Sequence, residues 1–325
     1  MKKSFKIFDM NKEGKGVTKS QALKGENTDI YSFFRVLKTR FWNISALNML
    51  YIIVNFPIIF GLIYLSGVFF AETTAPASPF YSQLFGMMQY GETPYISMLS
   101  SIIGTNADLS VPTTVAKIFG YLTLLIVFTN GISSVGASYI TRNLVRGEPT
   151  FILSDFFSAI NKNFKQSVVL GILDSLFLFI FGYGSMTYFI NSGTYVVNVM
   201  LFAEILLFLI YLTMRFYMYT LLITFDLSIV KILKNSFIFA VVGFKRNIVA
   251  WIGVIFVLFV NLYLLFTIPM LGVIMPFLIT PGFLMFICSF CTYPVIKKYM
   301  IDPYYKKEGS EKITSVDEPI FTDRG

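Results

Sequence analysis

Long apolar runs separated by short polar breaks dominate this chain. Six of them, at roughly 43–70, 117–138, 168–190, 196–221, 248–268 and 273–296, can cross ~30 Å of hydrocarbon at 1.5 Å per helical residue. The pattern predicts an all-α integral membrane protein with six transmembrane helices. A second pattern sits just ahead of alternate spans. FFRVLKTRFWN at 33–43, FFSAINKNFKQ at 156–166 and the end of IVKILKNSFIFAVVGFKRNIVAW at 229–251 share one order of features. Apolar residues at helical spacing come first, then a cationic or amide cluster, then a long apolar run. Apolar groups that face lipid, with Lys and Arg reaching the headgroups, predict an amphipathic interfacial helix at each place. The expected architecture is three repeats of interfacial helix plus helical hairpin. It spans residues 29–302, between a basic, aperiodic arm at 1–28 and a similar tail at 303–325.

Charge sets the expected topology. Of 26 Lys and Arg, ten lie in 1–40, four in 141–167, four in 222–247 and six in 297–325. The other connections, 71–116, 191–195 and 269–272, hold none. The positive-inside rule therefore puts both termini and the two basic loops in the cytoplasm. The net charge of +8 is spread over membrane flanks, which argues against nucleic-acid binding. The first forty residues lack an apolar core of signal-peptide type, so the first span is expected to act as an uncleaved signal.

The outer connection 71–116 carries Pro76, Pro79, Pro94 and Pro112 with Phe80, Tyr81, Phe85, Tyr90 and Tyr95. Its aromatics fit an anchor in the outer leaflet, with stacking on sugar rings as the alternative. In the inner segment 141–167, Arg142 and Arg146 mark the end of the second span, and Gly147-Glu148-Pro149 turns the chain. Ile152, Leu153, Phe156, Phe157, Ile160 and Phe164 form one apolar stripe, and Lys162 and Lys165 mark the return to the bilayer. Arg142, Arg146, Phe156, Phe157, Lys162 and Lys165 are thus the expected interfacial and partner-binding residues.

Ionisable groups at membrane depth need partners. Asp174 and Arg215 fall at similar depth on an antiparallel hairpin, which predicts an ion pair serving as a clamp or a gate. Glu204 has no evident cation near it. With Asn55, Asn130, Asn198 and Asn261 it forms a set of polar residues suited to lining a cavity. Asn55 followed by Pro57 is expected to kink the first span. Ser133, Ser134, Gly136, Ala137 and Ser138 make a small-residue face for close helix contact. Pro269, Pro276 and Pro281 are expected to leave free carbonyls around the last hairpin.

Catalysis finds little support. With no His in the chain, Ser-His and Cys-His dyads and histidine metal sites are excluded. NKEGKGV lacks the spacing of a phosphate-binding loop. Cys288 and Cys291 have C-x-x-C spacing, but apolar neighbours favour simple packing over redox or metal chemistry. The chain is expected not to be an enzyme and to hold no cofactor and no metal.

Five phrases in order carry a family resemblance: GKGVTKSQ, FFRVLKTRFWNISALNMLYIIVNFP, SYITRNLVRGEPTFILSDFFSAINKNFKQSVVLGILD, MRFYMYTLLITFDLSIVKILKNSFIFAV and YPVIKKYMIDPYY. Together they resemble the YesL-like family of bacterial integral membrane proteins, a domain of unknown function. The resemblance implies association with carbohydrate uptake in Gram-positive bacteria, and so an accessory role in the cell membrane beside the permease subunits of an ABC importer. It supplies no functional residues to carry over. An autonomous small-solute transporter or channel is the alternative, and a structural or regulatory membrane protein is another. A permease subunit itself would need an E-A-A-x-x-x-G coupling segment, and neither 141–167 nor 222–247 contains one.

Overall fold

The computed structural model describes residues 29–76 and 106–303, with Tyr95 and Met98 between them. The expected arm 1–28, the tail beyond 303 and most of the outer connection, with Phe80, Tyr81, Phe85 and Tyr90, lie outside the described residues. The protein is an all-α integral membrane protein. Five helical stretches are long and apolar enough to cross a membrane, and six when Ile30–Val54 and Pro57–Leu65 count together as one span. The chain forms two compact units, one of residues 55–126 and one of the remainder.

The smaller unit holds α2 (Pro57–Leu65), β1 (Phe70–Pro76), β2 (Asn106–Pro112) and α3 (Thr114–Thr123). Gly61 lets α2 approach the Thr123 methyl of α3, and Phe69 stacks on Phe119 at 5.5 Å. The strands are an addition to the expected picture. They pair antiparallel from Phe70 opposite Pro112 to Pro76 opposite Asn106, and so close the base of the outer connection. The expected first span therefore ends its helix at Leu65 rather than near residue 70. The Thr113 hydroxyl accepts from the Ala116 N–H to cap α3 and donates to the Phe69 carbonyl at 2.6 Å. The Asn55–Pro57 signal acts as expected, since one helix stops at Val54 and the next starts with Pro57 at its first turn.

The larger unit contains α1 (Ile30–Val54), α4 (Ile126–Arg146), α5 (Ile152–Ile190), α6 (Tyr195–Thr224), α7 (Ile229–Val242), α8 (Phe244–Thr267), α9 (Pro269–Leu278) and α10 (Thr280–Ile296). A π turn at Lys297–Ile301 follows the internal Pro294 of α10. Burial is uneven: 56% of the most apolar window of the last span is buried, against 11% for α6. The last helix is therefore central, and most of α6 faces outward. The core gathers Ile44 and Leu47 of α1, Ile140 and Leu144 of α4, Leu170 of α5, Tyr217 and Leu221 of α6 and Phe286 of α10.

Small residues set the closest helix contact. A Cβ on Gly131 of α4 would meet the Ser167 carbonyl and the Gly171 backbone of α5, and Gly136 lies under the Phe156 ring. The expected small face is buried, with Ser133, Ser134 and Ala137 all inside. At the end of α4, Gly147 adopts φ 76, and the Glu148 N–H bonds back to the Asn143 carbonyl at 3.0 Å. That left-handed glycine closes the helix and makes the predicted turn.

The three amphipathic segments share a local geometry. Helix α1 breaks at Arg40 (φ −115, ψ 16) and α5 at Asn163 (φ −114, ψ 15), while Gly243 (φ −78, ψ 11) divides α7 from α8. Near each break a side chain donates to a backbone carbonyl of the preceding turn, from a different position each time. Thr39 bonds Val36 at 3.2 Å, Asn163 bonds Ala159 at 3.0 Å, and Asn247 bonds Phe239 at 3.2 Å. A helix bent near apolar surroundings favours such extra donors to its carbonyls, although at the third break the Gly243 N–H also keeps its own bond to Phe239 at 2.9 Å.

Candidate functional site: a buried carboxylate cluster

Helix α5 carries Asp174 eleven residues past its Asn163 break, on the side that meets α4 and α6. Tyr211, Arg215 and Tyr219 recur every fourth residue on α6 and so share one face. That face meets the fully buried Asp174 carboxylate. Its Oδ1 accepts from the Tyr211 hydroxyl at 2.7 Å and lies 2.7 Å from Arg215 Nε. Its Oδ2 accepts from the Tyr219 hydroxyl at 2.9 Å and from Asn130 Nδ2 at 3.2 Å. The Arg215 N–H does not point along the short Nε–Oδ1 line, so the contact is an ion pair rather than a directed hydrogen bond. Tyr51 of α1 lies within electrostatic reach of both charges.

The expected Asp174–Arg215 pair is thus present, and Asn130 joins it. Tyr211 and Tyr219 are the partners that sequence reasoning missed, although their i, i+4, i+8 spacing about Arg215 was available. A carboxylate has about four lone-pair positions, and here three take directed hydrogen bonds while Arg215 lies beside Oδ1. The cluster joins α4, α5 and α6 and encloses the Asp174 carboxylate among four side chains.

The other polar candidates are dispersed. Glu204 of α6 packs its carboxylate against Gly184 of α5, and its Oε2 is buried with no hydrogen-bond partner among the described residues. Asn261 of α8 bonds the Val257 carbonyl and accepts from Thr280 of α10 at 2.9 Å, linking those two helices. Asn198 sits half-buried in the first turn of α6, and Asn55 is buried at the break after α1. No hydrogen bond joins Glu204, Asn198 and Asn261 to one another among the described residues.

Segment 141–167 divides between inside and outside. The sequence reading places Arg142 and Phe156 on a partner-binding surface, but the structure buries both. Arg142 Nη1 bonds the Ile223 carbonyl and the Thr224 hydroxyl, each at 3.2 Å, and so satisfies the last turn of α6. Its guanidinium also lies 4.9 Å from the Tyr139 ring centre. Helical spacing alone did not separate the inward edge of the stripe, where Gly136 receives Phe156, from the outward one. Phe157, Lys162 and Lys165 are exposed, and the half-buried Arg146 pairs with Glu148 at 2.9 Å.

Asn48 is a further residue that sequence reasoning passed over. Its amide donates to the Phe277 carbonyl at 2.7 Å and the Pro276 carbonyl at 3.4 Å, and its oxygen accepts from the Gly282 N–H at 2.9 Å. The carbonyls expected to be left free near Pro276 are therefore taken by a side chain of α1. Cys288 and Cys291 are free thiols packed in α10.

Fold and site together define a multi-pass membrane protein in which the embedded Asp174 and Arg215 are paired within the helix bundle. Residues 44–184, from the membrane part of α1 into α5, match the family described as "Protein of unknown function, DUF624". No curated protein and no solved structure matches the chain.

Proposed function

We propose that this chain is an accessory component of a carbohydrate uptake system of the ABC importer type in the bacterial cell membrane, binding the importer's permease subunits and carrying no solute and no catalysis itself. The carbohydrate link, and with it a Gram-positive setting, comes from the YesL-like resemblance. Against autonomous transport stands one observation, the enclosure of the fully buried Asp174 by four side chains. A carboxylate held by two tyrosine hydroxyls, an asparagine amide and an arginine serves as a clamp between helices. A transport carboxylate would have to give up such partners in every cycle. The permease is read as docking on the outward faces of α5 and α6, whose apolar windows are mostly unburied. Both termini and the lysine-bearing connections are read as cytoplasmic, and the six spans as three repeats, each led by an interfacial helix.

Autonomous transport remains a second reading because Glu204 keeps an unpartnered carboxylate oxygen inside the α5–α6 hairpin. Vesicles containing only this chain discriminate the two. The accessory role predicts no sugar or ion flux above empty vesicles, whereas flux abolished by Glu204→Gln would establish the transporter. Photo-crosslinkers at Leu206 and Phe202, both exposed on α6, are expected to capture the permease in native membranes.

A further inference from the structure

The three helix breaks carry the same pattern of outward side chains, and all three have ψ between 11 and 16. Six residues before each break stands a Phe, and one residue after it stands another: Phe34 and Phe41, Phe157 and Phe164, Phe237 and Phe244. Each pair flanks its break, with one Phe before it and one after it. All six are between 41% and 64% exposed. Within two residues of each break lies an exposed lysine: Lys38 at the first, Lys162 and Lys165 at the second, Lys245 at the third. The inner faces of these segments are packed, with Ile44, Ser167 and Asn247 buried four residues after the breaks. With Ile30–Val54 and Pro57–Leu65 counted as one span, two spans separate each break from the next, which returns all three to one side of the membrane.

We infer that these three aromatic–lysine faces are equivalent binding sites for anionic phospholipid in the leaflet on the lysine-bearing side of the membrane. The phenyl rings fill the boundary between headgroups and acyl chains, and the lysine meets the headgroup phosphate. Charge complementarity selects an anionic lipid over a zwitterionic one. Recurrence selects lipid over protein: a specific protein partner would need one such face, whereas a leaflet meets all three alike. The inference is independent of any importer.

The test uses the full chain in nanodiscs of phosphatidylcholine with a minor fraction of phosphatidylglycerol, with the lipids retained on the protein counted by native mass spectrometry. Wild type is expected to retain phosphatidylglycerol above its share of the bilayer, and rising salt is expected to erase that enrichment without any substitution. Replacing both Phe by Ser and every lysine within two residues by Gln at one break should remove about a third of the enrichment, whichever break is chosen, as separate sites add. Each single Lys38→Gln or Lys245→Gln should weaken its site about fivefold at low salt. Lys117→Gln, in the smaller unit, should change nothing. Equal retention of both lipids by the wild type overturns the inference. So does loss confined to one break together with loss of a co-purifying protein, which would make that face a protein-docking site.

Discussion

Replacing Asp174 by Asn keeps the shape of the side chain and removes its charge, which isolates the ion pair. The carboxylate is fully buried and the Arg215 side chain is 29% exposed, with 2.7 Å between Oδ1 and Nε. Removing one partner of a buried pair typically costs about 3–5 kcal/mol, because the remaining charge stays buried without compensation. Partial exposure of Arg215 screens part of that penalty, so the lower end, about 3 kcal/mol, applies. The new amide also presents its N–H groups either to the Arg215 guanidinium or to the Asn130 amide NH2, adding mismatch in the same direction. At ~2–4 °C per kcal/mol for chains of a few hundred residues, Tm in mild detergent should fall by about 6–12 °C. Arg215→Met should cost a similar amount. The double variant should cost clearly less than the sum, since neither orphaned charge remains. A differential scanning measurement on the purified protein reads all three. An unchanged Tm for Asp174→Asn, or strictly additive losses, would refute the clamp.

Three other substitutions probe separate joints of the fold. Gly131→Leu drives a side chain into the Ser167–Gly171 backbone, so α4 and α5 must part; a loss of about 1–3 kcal/mol or more is expected, read as lower Tm and poor monodispersity on size exclusion. Asn48→Leu orphans the Phe277 carbonyl and the Gly282 N–H, about 1–3 kcal/mol for each buried group, and hydrogen exchange should quicken around residues 276–282. Arg142→Ala strips the end of α6 of a charged donor and should lower Tm, whereas Lys162→Glu should leave it nearly unchanged, because Lys162 is exposed.

Unbroken apolar length exposed the membrane spans because the bilayer demands it, and that demand is written locally. The Asp174–Arg215 pair was legible for the same reason, since two rare charges at equal depth on one hairpin have few ways to be satisfied. Asn48 was not, because its partners lie more than 200 residues away and only the three-dimensional contact of α1 with the α9–α10 break reveals them. Arg142 was misplaced by a sound local rule, that basic residues mark span ends at the surface. The rule gives the depth of the residue but not its direction around the helix, and here the direction is toward the open carbonyls of α6. The β1–β2 pair also lay beyond reach, because its strands flank an intervening segment of about thirty residues and show little alternation of apolar and polar positions.

The most direct test of the accessory role is recovery of the full chain from native membranes in mild detergent, followed by identification of what accompanies it. A carbohydrate importer's permease subunits should co-purify in a fixed ratio and be lost when the exposed faces of α5 and α6 are given charged residues that leave Tm intact. A chain that runs alone under the same conditions, and that by itself carries solute across vesicles, would contradict the account.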